Sequence, residues 1–386
     1  MSAAMRAALH TVVIAAVVGL TAAAAARAGQ MPAPLRPASS HDRDAAGKAL
    51  YDQACASCHG MDGTGAARAL VAFAEPLPDF RDCQFATREP DADWLAVIHD
   101  GGPARAFGRM MPAFAEALSI EQMEDTLAYT RRFCADTAWP RGELNLPRPL
   151  VTEKAFPEDE AVISTSVSTS GAGVVANKLV YERRIGPRNQ FEVIVPFSFV
   201  ERDVTGGTTW GGGVGDLALG FKRAIAHSRH RGAILSGAAE IVLPIGDESL
   251  GLSKGTPVFE PFFAYGQLLR SDAFVQAQAG LELPFDSEKA TAEAFWRVVA
   301  GRSFSQQRWG RTWSPMLEAV AARELESGQP TQWDVVPQLQ VTLSTRQHIM
   351  ASVGVRFPVN QRDERHPQVM FYVLWDWFDG PLFGGW

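Results

Sequence analysis

Cys55-Ala56-Ser57-Cys58-His59 is the stretch around which the rest of the chain is organised. Two thiols three positions apart can each form a thioether to a porphyrin. The residue that follows is then held beneath the iron, where an imidazole nitrogen is a good ligand. The spacing reads as the covalent attachment site of one heme c, with His59 as the proximal ligand. A redox-active disulfide and half a zinc site are the alternatives, but zinc would want a second Cys or His pair at matching spacing and none follows.

Upstream of this motif, Arg6 precedes an apolar run from about Thr11 to Ala26 and the small-x-small step Ala26-Arg27-Ala28. These are the three parts of a secretory signal over 1–28; the run is short and lacks a charged stop, which favours cleavage after Ala28 over a membrane anchor. A Pro-rich tether fills 29–40, and an amphipathic helix is expected from near His41 through Gly47, Leu50 and Tyr51. Downstream, three glycines in Gly60-Met61-Asp62-Gly63-Thr64-Gly65 break the helix into a loop.

An electron carrier needs a second axial ligand, and the candidates lie in Gly108-Arg109-Met110-Met111-Pro112-Ala113-Phe114. A thioether favours ferrous over ferric iron, and full six-coordination leaves no site for oxygen chemistry. Met111 is the expected ligand because Pro112 holds it extended; Met110 is the alternative, and a plain core methionine is the simplest role for either. Ser119 is placed to cap a helix running through Phe133, whose residues Met123, Leu127, Tyr129 and Phe133 would pack against the first helix near Gly47.

Residues 41–134 thus resemble a class I cytochrome c domain in their order: helix, Cys-x-x-Cys-His-Gly, Met-Pro loop, and a terminal helix with an aromatic. The resemblance implies an all-α fold over 41–137 and supplies both axial positions, so His41 and His99 read as cap or surface residues and Trp94 as core. Cys83 and Cys134 fall outside the family pattern. In an oxidising compartment such a leftover pair favours a disulfide, with two buried free thiols as the alternative.

Prolines at 140, 147, 149 and 157 make 138–159 an extended, fairly stiff linker. Beyond it the apolar period changes from helical to alternating, most clearly in Val275-Gln276-Ala277-Gln278-Ala279-Gly280-Leu281-Glu282-Leu283. About twelve such segments are expected, near 160–170, 174–184, 189–200, 213–226, 232–244, 256–269, 272–283, 292–303, 312–325, 331–344, 347–358 and 366–378. Their length suits strands that cross a bilayer at a tilt, and short links (Ile185 to Arg188, Arg270-Ser271, Thr345-Arg346) alternate with long ones (Glu201 to Gly212, Gly246 to Gly255, Pro358 to His366). The expected fold over 160–386 is an antiparallel transmembrane β-barrel closing on an aromatic, either Phe378 or Trp386. Gly213 to Gly220 resembles a barrel family labelled phenol-degradation MetA-like. Charged residues of both signs, such as Glu192, Lys222, Glu240, Glu260, Arg297 and Arg356, are expected to face inward, where they could line an aqueous path or plug it.

A composition of 46% hydrophobic and 20% charged residues with net charge −7 excludes general disorder and gives no reason to expect nucleic-acid binding. The combination resembles fused cytochrome-porin proteins, but a full-length class I domain is too bulky for a twelve-stranded lumen, so it should sit beneath the barrel. Three readings follow. One is a non-enzymatic electron carrier anchored in the outer membrane, with its heme domain in the periplasm and periplasmic redox proteins as donor or acceptor. The second is an outer-membrane channel for a small solute with the cytochrome as redox partner or sensor. The third is a soluble β-sandwich joined to a cytochrome.

Overall fold

The computed structural model describes residues 40–67, 69–71, 77–171, 173–205 and 207–376. The secretory segment with its cleavage position after Ala28, the tether up to 39, and the terminal aromatics Phe378 and Trp386 lie outside the described residues. The chain divides into two compact units, residues 1–43 and 44–386. Of the first unit only 40–43 are described, as the opening turn of helix α1.

Helix α1 (Ser40–Leu50) runs through a π-helical turn (Tyr51–Cys55) into α2 (Ala56–His59), and Gly60, at φ +76°, ends it. Three further helices follow: α3 (Cys83–Ala86), α4 (Asp91–Asp100) and α5 (Ile120–Thr130). The sequence left α4 unassigned. Ser119 caps α5 as expected, in a reciprocal pair: Gln122 N–H donates to Ser119 Oγ at 3.2 Å and Ser119 N–H to Gln122 Oε1 at 2.8 Å. The helix stops at Thr130, short of the expected Phe133, because Arg132 and Phe133 turn their N–H groups onto the carbonyls of Tyr129 and Thr130. Gly47 does permit a close approach: a Cβ there would stand 2.1 Å from Asp125 O on α5. Tyr51, Ala56 and Phe80 form the core of this domain with Trp94, Tyr129 and Phe133 packed around them. Cys83 and Cys134 are joined in a disulfide that closes α3 onto the end of the last helix.

Among the described residues fourteen strands follow: β1 (Glu160–Ser168), β2 (Val174–Ile185), β3 (Asn189–Val204), β4 (Gly207–Val214), β5 (Leu217–Ser228), β6 (Ala233–Leu243), β7 (Val258–Leu268), β8 (Ala273–Pro284), β9 (Glu293–Arg302), β10 (Phe304–Ser305), β11 (Thr312–Glu324), β12 (Gln332–Thr342), β13 (Ile349–Pro358) and β14 (Gln368–Asp376). Twelve of them, all but β4 and β10, form a closed antiparallel ring in which β14 pairs with β1 and β9 pairs directly with β11. Strand β4 extends a hairpin on the outer half of β3, so the link expected from Glu201 to Gly212 is paired structure rather than free loop. The segment expected over 213–226 breaks at Asp216, whose carboxylate accepts from Gly246 N at 3.0 Å and Lys254 N at 2.8 Å.

The faces of this ring are inverted relative to a soluble protein. Outward residues Ile163, Leu179, Phe221, Phe263, Leu317 and Val353 are 47–60% exposed, whereas inward Gln276, Gln278 and Gln340 are 1–4% exposed. A sandwich would bury that apolar face against a second sheet; here only lipid can cover it, and the ring is a membrane-spanning barrel.

The Pro-rich segment read as a linker departs most from expectation. It does not merely space two domains: residues 144–159 run inside the barrel and fill its lumen. Prolines keep the segment extended, so its backbone groups cannot satisfy one another and need partners from the wall. Gln338 Oε1 accepts from Leu150 N at 2.9 Å, Glu318 Oε1 from Thr152 N at 2.7 Å, Gln278 Oε1 from Glu153 N at 3.0 Å and Gln190 Oε1 from Glu158 N at 2.7 Å. Gln276 donates to Pro147 O at 2.8 Å and Tyr372 to Arg148 O at 2.6 Å. Of the residues expected to face inward, Lys222 and Arg297 bond the plug, through Lys154 O and Val151 O, both at 3.0 Å.

Candidate heme site

Cys55, at the end of the π-helical turn, and Cys58, on α2, are half-buried and unbonded to each other, and His59 closes α2. The turn after His59 is held by Tyr51 Oη, which donates to Gly60 O at 2.8 Å. Gly63 leaves space for Phe133, whose ring would lie 2.7 Å from a Cβ at that position. The His59 imidazole stacks on Phe80 with centroids 4.8 Å apart, and Phe80 in turn meets Trp94 at 5.4 Å. Arg131 lies 4.1 Å over Trp94. Sequence reasoning missed Phe80, which sits in a segment without periodicity, and Arg131, at the end of a helix of which only the apolar face was read.

Burial brings the His59 pKa down to about 4, so at neutral pH the ring is uncharged and has a lone pair to give. Burial also raises the Cys55 thiol to about 11. His59 Nδ1 is buried with no hydrogen-bond partner, and Cys55 packs against the same apolar cluster, Tyr51, Ala56 and Phe80, with the free thiol of Cys58 beside His59 in the chain. This donor set fits a covalently attached heme: Cys55 and Cys58 would hold it, and His59 would bind the iron. Of the two methionines, Met111 is half-buried and Met110 is 59% exposed. Met111 also has its carbonyl fixed by Gly102 N at 3.0 Å, in a loop closed against Gly101.

Residues 45–132 match the family described as cytochrome c. This segment is a cytochrome c domain. No curated protein matches the chain. Among solved structures, an outer membrane channel from Pseudomonas putida F1 is 14% identical with a TM-score of 0.43, and 60% of this chain covers 100% of that one. The NanC porin is 9% identical with a TM-score of 0.39, 56% of this chain covering 99% of it. The KdgM porin is 8% identical with a TM-score of 0.36, over the same shares of each chain.

The cytochrome domain packs on the barrel end that carries the short turns and both ends of the ring. Arg346, in the β12–β13 turn, donates to the carbonyls of Arg105 at 3.2 Å and Ala106 at 3.0 Å, and lies 4.4 Å over Phe107. His348 Nε2 lies 3.1 Å from Glu89, and Arg88 reaches Asp159 at 2.7 Å. His99, expected as a cap or surface residue, stands in the last turn of α4, partly exposed, and also meets Trp309 edge-on at 4.7 Å.

Asp91 binds three guanidiniums: Arg131 at 2.9 Å, Arg141 at 2.7 Å and Arg229, from the β5–β6 turn, at 2.8 Å. Burial alone would raise its pKa, but these cations outweigh burial and hold the carboxylate below its usual range. A depressed acid pKa contributes stability that is complete above the unfolded value of about 4 and is lost as pH falls through the folded value. The thermal midpoint of the wild-type protein should therefore fall below about pH 4, and Asp91→Asn should show a lower midpoint at pH 7 and a flatter fall. Parallel pH profiles for the two proteins would contradict this.

Proposed function

We propose that the protein is an electron carrier of the outer membrane: one heme c, held by Cys55, Cys58 and His59 with Met111 as sixth ligand, passes single electrons in the periplasm. The observation that carries the reading is the seating of a cytochrome c domain on the short-turn end of a plugged barrel. Short turns lie on the periplasmic side of outer-membrane barrels, which is the side where c-type heme attachment in bacteria takes place. The plug through the lumen favours an anchoring barrel over an open channel for a small solute. Donor and acceptor would then be periplasmic redox proteins that reach the heme beneath the membrane, and a closed coordination sphere argues for a carrier rather than an enzyme.

The test is coordination and electron count. Potentiometric titration of the purified protein should follow a single one-electron curve. Met111→Ala should lose the low-spin ferric spectrum, while Met110→Ala keeps it; the reverse result would move the ligand to Met110. A spectrum that is high-spin in the wild-type protein would overturn the carrier reading, because an open iron site invites oxygen or substrate chemistry.

A further inference from the structure

The barrel register sets acidic residues side by side on strand after strand. Asp376 lies opposite Glu160, Glu160 opposite Glu182, and Glu182 opposite Glu192. Glu192 then faces Gly220, Gly220 faces Glu240, and Glu240 faces Glu260. Like charges directly opposite one another are destabilising, so the row requires counter-charge. Near the short-turn end it has some: Arg148 pairs with Glu160 and Glu182, and Lys154 with Glu160. Farther along, Glu192 and Glu240 have no ion pair among the described residues, and Glu192, 6% exposed, lies among other carboxylates.

At this point in the row the plug adds a third carboxylate. Oxygens of Glu153, Glu182 and Glu192 all lie within 4.8 Å of one another. Beside them is a cavity of about 10 Å³, lined among others by Glu153, Glu192, Gly220, Lys222 and Glu240. That is room for one water or one ion. Gly220 keeps the space open, since a Cβ there would stand 3.1 Å from Glu192 Oε1. Of four carboxylates (Glu153, Glu182, Glu192 and Glu240), Glu153 and Glu182 are ion-paired, both to Arg148, while Arg297 acts on Glu153 and Glu240, and Lys178 on Glu240, only at longer range. Arg148 also serves Glu160, and Lys222 turns its ammonium onto Lys154 O at 3.0 Å rather than onto an acid. Glu192, more than nine-tenths buried, is thus left without an ion pair, where an uncompensated charge is strongly disfavoured. A proton would neutralise it as well, but protonation gives no account of a void one ion wide at the convergence of three segments. Carboxylate-only donors select hard divalent cations over thiophilic ones.

We propose that Glu153, Glu182 and Glu192, with Glu240 at the border, bind one hard divalent cation that ties the plug to strands β2 and β3. The test uses the full-length protein with heme, stripped with a chelator, desalted in detergent and titrated with Mn²⁺, while the spin-resonance signal of free Mn²⁺ is followed. Wild-type protein should remove about one equivalent, and Mn²⁺ should raise its thermal midpoint through linkage. Glu192→Gln should weaken binding at least tenfold and abolish the rise in midpoint; Glu153→Gln should do the same from the plug side. Glu364→Gln, at an exposed loop position, should bind as wild type. If wild-type protein leaves the free Mn²⁺ signal undiminished, or if Glu192→Gln retains Mn²⁺ as tightly as wild type, the proposal is overturned and protons neutralise the row.

Discussion

Changing both Cys55 and Cys58 to serine should leave a protein with no heme after denaturing electrophoresis, seen as complete loss of heme-dependent peroxidase staining at the full-length position. The thioether links are the only attachment that survives unfolding; every other contact to the group is lost with the fold. Either single variant retains one thiol and should keep reduced staining. His59→Ala should separate attachment from ligation, since both thiols remain but the imidazole stacked on Phe80 is gone. Any staining that survives in His59→Ala should therefore accompany a high-spin spectrum. Undiminished staining of the double serine variant would remove the basis for placing the heme at this motif. The tight packing of Tyr51, Phe80, Trp94, Tyr129 and Phe133 around the site further predicts that the heme-free chain loses helical order in this domain while the barrel, stabilised by its own closed ladder, persists.

Arg148→Met should open the barrel. Arg148 is 7% exposed and its guanidinium reaches Glu153, Glu160 and Glu182, linking the plug to strands β1 and β2. Removing one partner of a buried charge network leaves the others unpaired, at a cost of about 3–5 kcal/mol. The cheapest relief is for water to enter and the plug to withdraw, so single-channel conductance in planar bilayers should rise from near zero to discrete open events. The segment 144–159 should also become a protease target. Arg148→Lys keeps the charge but loses the planar fork that spans three carboxylates, and should fall between the two. Unchanged conductance and protease resistance in Arg148→Met would show that the backbone bonds from Gln190, Gln278, Glu318 and Gln338 hold the plug without it.

Local patterns were legible to the degree that their physics is local. Cys55, Cys58 and His59 act through a fixed spacing within five residues, and Ser119 with Gln122 caps a helix through groups three residues apart. The strands could be read from alternation because one face meets lipid and the other the lumen, and nearly all their ends fall within a few residues of expectation. Where a residue's environment depends on what lies opposite, the pattern misleads. Glu201 to Gly212 reads as a loop until β4 pairs with β3. Arg148, Glu153, Lys154, Glu158, Asp159 and Glu160 crowd into a Pro-rich stretch that has no periodicity; that density of charge was the available sign of burial among partners.

By itself, then, the sequence determined a heme-attachment motif on a short helix, a cysteine pair outside that motif, and twelve alternating segments suited to a membrane-spanning ring. The tertiary structure alone decided that residues 144–159 thread the ring, that the cytochrome domain seats on its short-turn end, and that acids from separate strands converge on Glu153. The physical reason is that spacing and alternation fix which way a side chain points, whereas burial and charge pairing depend on groups far away in the chain: Glu318 lies 166 positions from the Thr152 amide it accepts from, and Tyr372 lies 224 from the Arg148 carbonyl to which it donates.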